Sequence, residues 1–576
     1  MKIFDRLVGQ ETEYAIRYSR DGDEPHPGND VIYEALTEAI QSLVLVRKGE
    51  RALARRQYFV QNGGAFYYES LPTSSAGGLL EGATPECRGP AQTLLYQRAL
   101  DGLLIDALPI ARRILTRKGF PGRIGLLKNC RDAEGHVYGA QENYEAVFAT
   151  GVTLWAWRAL LIAMFPLLMV CVAVTWTLLV GMMAWLFTGI VMGWFLMVLL
   201  PHRFDPTFVA LATDDTTSTF DAIEGPMSLV FMWVEIVVWW PVVTLLGWAI
   251  ATLGFRKVHQ SAMGFLISRP IVSGAGTVDT HSLFGLSEKG PATRTISRTS
   301  VLPDARGIFD AGNLMKHAIN TVQMDFSSYF RLFRRRQRLQ FGLSDSNLCQ
   351  MAEYLKLGTT LLVIDMAEAG ALDHLPRPTE PIISLHQLIA DPTLQAAVPM
   401  SDGSMMTALQ LQRLTLDTAR DFLDRHDDVP TEARRVVRLW EEVLDALEED
   451  PARLVGRLDW VTKRYVLESV APNAPLAVQK KIDLRYHELG EGYLGVLEAH
   501  GEAVELVEAG DVLRARTEAP QNTPARLRAE LMTTWGDQDV PVAFSWSSVR
   551  IGGWFNARVI PLDGDSPRPP PREQQH

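Results

Sequence analysis

The chain is poor in cysteine: four residues (Cys87, Cys130, Cys171 and Cys349) in 576, with no CxxC pair and no metal-ligand spacing. That excludes a disulfide framework and a zinc ribbon, and it fits a reducing compartment. Excess positive charge is also missing. The net charge of −11 argues against a nucleic-acid-binding surface over the whole molecule, and no nucleic acid is expected as a partner. No internal repeat is evident. The start, MKIFDRLVGQETEY, lacks the uninterrupted apolar core of a signal peptide, so the N-terminal part is expected in the cytoplasm.

Long apolar runs, by contrast, are present. Thr153–Leu200 is interrupted only by Arg158 and Pro166, and Met227–Gly254 follows after a polar loop. Each exceeds the roughly 20 residues that cross a bilayer. Trp155, Trp157, Trp194, Trp233, Trp239, Trp240 and Trp248 include candidates for interfacial anchors. The first run has room for two helices and the second for one. Arg256 and Lys257 at the exit mark a cytoplasmic end, and the intervening loop is acidic (Asp205, Asp214, Asp215, Asp221, Glu224 against Arg203). Flanking halves that build one fold must share a side, so the crossing number is expected to be even. Two crossings with an outer acidic loop are favoured, and Glu235 inside the second run is expected to face protein.

Carboxylates gather in three short stretches: GQETEY (Gly9–Tyr14), EGATPEC (Glu81–Cys87) and KNCRDAEGHVYGAQENY (Lys128–Tyr144). Glu11 and Glu13 stand two apart in a β-like run, so both leave one face of a strand. Two carboxylates on one face repel unless a cation or proton lies between them, a pattern that suits Mg²⁺. A plain solvated strand face is the alternative.

Asp30–Arg47 has helical periodicity, and Tyr58–Val60 and Gly64–Tyr68 read as strands. Asn347–Ala369, Ser404–Arg425 and Glu432–Leu447 read as helices, with Arg485–His487 and Val542–Ile551 strand-like. Strands early and helices late indicate an α+β fold.

Together the three stretches resemble the Pup ligase and Pup deamidase/depupylase family, relatives of glutamine synthetase. The resemblance continues in order through QNGGAFYYE (Gln61–Glu69), FLISRPIVSGAG (Phe265–Gly276), SDSNLCQMAEYLKLGTT (Ser344–Thr360), RLDWVTKR (Arg457–Arg464), DLRYHEL (Asp483–Leu489) and TPARLRAEL (Thr523–Leu531). It implies an α+β, glutamine-synthetase-like antiparallel sheet packed with helices. Residues 1–150 and 256–475 would form the catalytic domain, interrupted by an inserted membrane block at 151–255 with its acidic loop at 201–226. Residues 476–564 would form a small C-terminal domain, and 565–576 a disordered tail.

The resemblance also implies chemistry: ATP- and Mg²⁺-dependent joining of a glutamate carboxylate on the modifier Pup to a substrate lysine, or the reverse hydrolysis. By that resemblance Glu11, Glu13, Tyr67 and Glu86 match metal-site residues, and Glu69 stands where the family carries its catalytic aspartate. Arg526 and Arg528 match a basic segment assigned to the nucleotide region. The chain departs at Ala65 (an arginine in the family), at Gln141 and Gln340 (histidines), and after Asn320–Thr321, where a longer motif with an arginine and a histidine is lost. Arg331, Arg334, Arg335, Arg336 and Arg338 stand close by, open to three readings: phosphate contacts, a patch on anionic lipid, or a solvated face. The compact Tyr14–Gln61 segment favours ligase-like architecture. The expected location is the inner membrane, with the catalytic domain facing the cytoplasm.

Overall fold

The computed structural model describes the chain apart from residues 1, 21, 23–24, 50–55, 72–73, 200–215, 300–305, 471–472, 536–539, 554–556 and 563–576. It describes no side chains at 70–71, 74–76, 186, 190, 193, 196–199, 216–232 and 235. The disordered-tail reading and the Glu235 reading therefore fall outside the described residues, as does 201–215 of the acidic loop; from Thr216 the chain is helical.

The centre is an 11-stranded sheet built around β1 (Leu7–Arg20). Beside β1 lie β5 (Ser74–Ala83) and then β4 (Ala65–Leu71), β3 (Tyr58–Val60) and β2 (Val46–Lys48); β6 (Cys87–Arg88) and β7 (Gly122–Leu127) also pair with β1. On the other side come β8 (Gln141–Val147), the strand Arg336–Phe341, the strand Arg306–Asp310 and the strand Thr293–Arg298. The pairings are antiparallel except the last, which is parallel. The α+β class expected from sequence is what the structure has.

β1 alternates half-buried and buried positions through its first half. The buried set, Gln10, Thr12 and Tyr14, points into a helical layer formed by Asn29–Leu43, Pro90–Arg117 and Gln350–Ala369. These polar groups are satisfied there. Gln10 Nε2 donates to Glu353 at 2.6 Å, Tyr14 OH donates to Asp101 at 2.6 Å, and Lys128 closes the network on Asp101 at 3.0 Å. Buried charges survive only when paired and hydrogen-bonded in this way.

Local readings differ in places. Arg485–His487 is not a strand: Arg485 and Tyr486 end the helix Leu476–Tyr486. Three residues are too few to separate a period of 2 from one of 3.6. Val542–Ile551 is a hairpin of two strands, Val542–Phe544 and Ser548–Ile551. The Asp30–Arg47 helix stops at Leu43, and Val46 opens β2. The first apolar run is one helix, Gly151–Leu199, continuous through Pro166, and the second lies in the helix Thr216–Leu253. Within them Gly151–Gly189 and Ile236–Leu253 are long and apolar enough to cross a membrane.

Where this block rejoins the sheet, the ring of His259 stacks on Phe309 with centroids 4.1 Å apart. Its Nε2 is buried without a partner, and burial lowers its pKa to about 4. The unfolded chain takes up this proton near pH 6.5, the native ring only near 4. Stability from this residue is therefore complete above 6.5 and falls as the pH drops towards 4, by roughly 1–3 kcal/mol. His259→Phe is expected to lose less unfolding temperature than the parent between pH 7 and pH 5; equal losses would mean that His259 does not set this pH dependence.

Candidate active site on the open sheet face

Directly opposed residues of antiparallel strands share a face. Glu13 stands opposite Glu81, which stands opposite Tyr67; Glu11 stands opposite Ala83 on one side and Gln141 on the other. Glu69, two residues beyond Tyr67, is on that face too, as are Arg338 and Gln340 from the strand Arg336–Phe341. The sheet thus collects Glu11, Glu13, Glu69 and Glu81 on the surface away from the helical layer. Glu142 belongs to the opposite face: it is fully buried, 3.0 Å from Arg269 and accepting from Tyr144 OH at 2.6 Å. The sequence period alone separates it from Glu11 and Glu13 once the register is known.

Electrostatics mark Glu13 as the centre. Burial and the nearby charge of Glu69 raise its pKa to about 7, against the backbone N–H of Gly139 (2.7 Å) and the more distant Lys289 and Arg306. A half-buried carboxylate with acidic neighbours needs a proton or a cation. Glu11 differs, because Arg338 already reaches it at 2.7 Å while also donating to Asn143 Oδ1 at 2.7 Å. Tyr67 is buried, and its hydroxyl accepts from Gln57 at 3.1 Å and from the Trp546 indole. Burial and Glu81 push that phenol's pKa upward, so it faces the cluster as a neutral group. The set offers hard oxygen donors of the kind a divalent cation such as Mg²⁺ takes, without three of its carboxylates standing at ligand spacing from one another.

The structure pairs Arg528 with Glu86 and places Arg526 away from the Glu11–Glu13–Glu81 row. Arg528 is fully buried and presents five N–H donors. They are used on Ser545 O (3.3 Å), Gly63 O (2.6 Å), both Glu86 oxygens (3.0 and 2.6 Å) and Trp546 O (3.0 Å). No N–H remains for a phosphate, so Arg528 positions Glu86 and the C-terminal hairpin. Gly63 makes this possible with φ +86 at the β3–β4 turn, where a Cβ would lie 2.9 Å from Ala525 O. Arg526 lies on the surface and pairs with Glu530 at 2.7 Å. Neither arginine contacts the Glu11–Glu13–Glu81 row.

Gln141 and Gln340, which the resemblance reads as replacing histidines, contact each other through Gln340 Nε2 and Gln141 Oε1. Asn320–Thr321 opens a turn whose neighbour Val322 accepts from Trp176 of the first apolar helix at 3.0 Å. The segment where the resemblance expected a longer motif here packs on the first apolar helix. Of the Arg331–Arg338 series, Arg331 ends a short helix while Arg336 and Arg338 lie on a strand, so a single helix face is excluded.

Sequence reasoning missed the role of Glu81, although it opens a noted motif, because only strand register sets it beside Glu13. Lys289 and Arg306 carried no local signal. Among the described residues, three-ligand spacing occurs not in the Glu11–Glu13–Glu81 row but at the surface group Asp132, Glu134 and His136 and in a buried cluster, Glu288, Asp483 and His487. Lys463 Nζ occupies its middle, 2.7 Å from Asp483, 3.2 Å from Glu288 and 2.8 Å from His487, so an internal cation already serves it.

Known proteins match this chain in sequence and in fold. The family model "Pup-ligase protein" matches residues 6–550. The Pup deamidase/depupylase of Mycolicibacterium smegmatis is 33% identical over 321 residues, which is 54% of this chain and 61% of that protein. The Pup–protein ligase of Paenarthrobacter aurescens is 24% identical over 569 residues, covering 97% and 96% of the two chains. In fold, the ligase PafA from its crystal structure in complex with Pup aligns with a TM-score of 0.64 at 21% identity, over 98% of this chain and 90% of that one. PafA in complex with ADP gives 0.58 at 21% identity, over 88% and 86%. With a match along nearly its whole length, and a carboxylate-bearing sheet at its centre, the chain belongs to the Pup-ligase protein family.

Proposed function

We propose that this protein is a membrane-anchored ligase of the Pup type, joining a glutamate side-chain carboxylate of a Pup-like modifier to a lysine of a protein substrate with ATP and Mg²⁺. The observation that carries the reading is the row Glu13–Glu81–Tyr67 with Glu11 beside it, a concentration of oxygen donors around an uncompensated carboxylate. Mg²⁺ held there supplies neutralisation of phosphate charge. Glu13 and Glu81 would hold the ion, with Tyr67 facing it from the neighbouring strand. Glu69 is the acid–base group for the attacking amine, one methylene longer than the family's aspartate. Arg338 is the cation best placed to contact a phosphate, since Arg528 has no donor to spare.

The two apolar helices support an anchor in the inner membrane with the sheet on the cytoplasmic side. The test is ATP binding and hydrolysis by detergent-purified full-length protein with Mg²⁺, with and without a Pup ending in glutamate. Pup-stimulated turnover lost in Glu11→Ala supports the ligase; absence of ATP binding sinks it.

Two observations favour other readings. The amide pair Gln141–Gln340 and the bridge from Arg338 to Glu11 suit a protein that binds Pup or nucleotide without turnover. The 33% identity to a depupylase suits hydrolysis of a Pup–lysine bond. Release of Pup from a conjugate without isopeptide synthesis would select the second.

A further inference from the structure

The segment Gly312–Arg335 packs along the first apolar helix but exposes apolar side chains of its own. Trp157 Nε1 donates to Leu332 O at 2.7 Å, Tyr329 OH to Leu161 O at 2.7 Å, and Trp176 Nε1 to Val322 O at 3.0 Å. Beside these contacts Met324 is 62% and Phe330 57% exposed. Met324 adopts a left-handed φ of +60, a conformation that costs a non-glycine residue about 1–2 kcal/mol. That conformation closes the turn Asn320–Gln323, with the Met324 N–H donating back to Asn320 and Thr321, and leaves its side chain outside. The same segment carries Lys316, Arg331, Arg334 and Arg335 against the single carboxylate Asp325.

Depth decides what meets the exposed Met324. The two apolar helices meet where Trp239 Nε1 donates to Thr175 at 3.1 Å, one residue from the Trp176–Val322 contact. Beyond Trp239 the second apolar run extends only to Met227, twelve residues or about 18 Å of helix. A hydrocarbon core is about 30 Å thick, so a crossing must reach back past Trp239 towards the sheet. It then passes the level of Val322 and Met324 by about 12 Å, towards the turn of the first apolar helix where Phe165 lies beside Phe330.

We propose that Gly312–Arg335 is an interfacial foot that runs along the first apolar helix: Met324 lies on the acyl side, Phe330, beside Phe165, enters the boundary between headgroups and acyl chains, and Arg331, Arg334 and Arg335, further towards the sheet, meet anionic headgroups. This rests on the reading of the two apolar helices as membrane spans. The strand Arg336–Phe341, which brings Arg338 to Glu11, follows the foot directly, so membrane contact fixes the pose of the open sheet face.

The test uses the full-length protein in nanodiscs, with an environment-sensitive fluorophore at Met324→Cys or, as reference, at Met183→Cys on the first apolar helix. The four native cysteines are buried, which favours labelling at the introduced site. Expected are a blue-shifted emission at 324 and quenching by lipid-borne nitroxide within about twofold of that at 183. The quenching at 324 should be stronger with phosphatidylglycerol than without it, and Arg334→Gln/Arg335→Gln should remove that difference. Lipid quenching at 183 but aqueous iodide quenching at 324 overturns the foot alone. Shielding at 324 from both quenchers marks a protein contact and also overturns it. No lipid quenching at either site overturns the membrane reading together with the foot.

Discussion

Glu13→Ala is expected to lower Mg²⁺-dependent ATP turnover by at least about 100-fold and to weaken Mn²⁺ binding, followed by paramagnetic resonance, by a similar factor. The reason is local charge. Glu13 lies opposite Glu81 and near Glu69, and its closest compensating contact is one backbone N–H at 2.7 Å. On the proposed reading, removing it takes away the carboxylate whose charge the protein leaves least balanced. Glu11→Ala should weaken Mn²⁺ binding less, because Arg338 already neutralises that carboxylate at 2.7 Å. Glu13→Gln separates charge from shape: it keeps the side-chain volume and should lose ion binding nearly as fully as alanine. If Glu13→Ala binds Mn²⁺ within about threefold of the parent while Glu11→Ala does not, the ion is centred on Glu11 and Glu13 is the lesser ligand.

Arg528→Ala should be among the most destabilising single substitutions in the sheet region, costing roughly 3–5 kcal/mol. The guanidinium joins three parts of the chain: Gly63 at the β3–β4 turn, Glu86 after β5, and the Ser545–Trp546 turn of the C-terminal hairpin. It also lies over the rings of Phe59 and Trp546, with 5.1 and 4.6 Å to their centroids. Its loss strands the Glu86 carboxylate and three carbonyl oxygens. Arg528→Lys should recover little, since an ammonium has three donors and no planar fork for the bidentate carboxylate. Limited proteolysis near the Val542–Phe544 hairpin and the unfolding midpoint read this out. A variant with the parent's midpoint but lost ATP binding would instead return Arg528 to the nucleotide.

How much of the fold and site is legible in the sequence depends on the range of the interaction. The period of 2 in GQETEY places Glu11 and Glu13 together on one strand face, and the ordered family motifs carry the fold class. The two apolar helices follow from composition and length. What failed was short or non-local. Arg485–His487 is too brief to declare a period, and the Arg331–Arg338 series changes from helix to strand midway.

By itself, then, the sequence determined that carboxylates gather on a β-strand and that long apolar helices accompany an α+β fold. These are properties of neighbours along the chain, set by alternation, helical rise and residue type. Only tertiary structure decided that Glu81 faces Glu13, that Glu142 is buried beneath the sheet with Arg269, and that Arg338 rather than Arg528 reaches the carboxylates. Strand register and helix docking join residues tens to hundreds of positions apart. A slip of one residue in register would exchange every one of those faces.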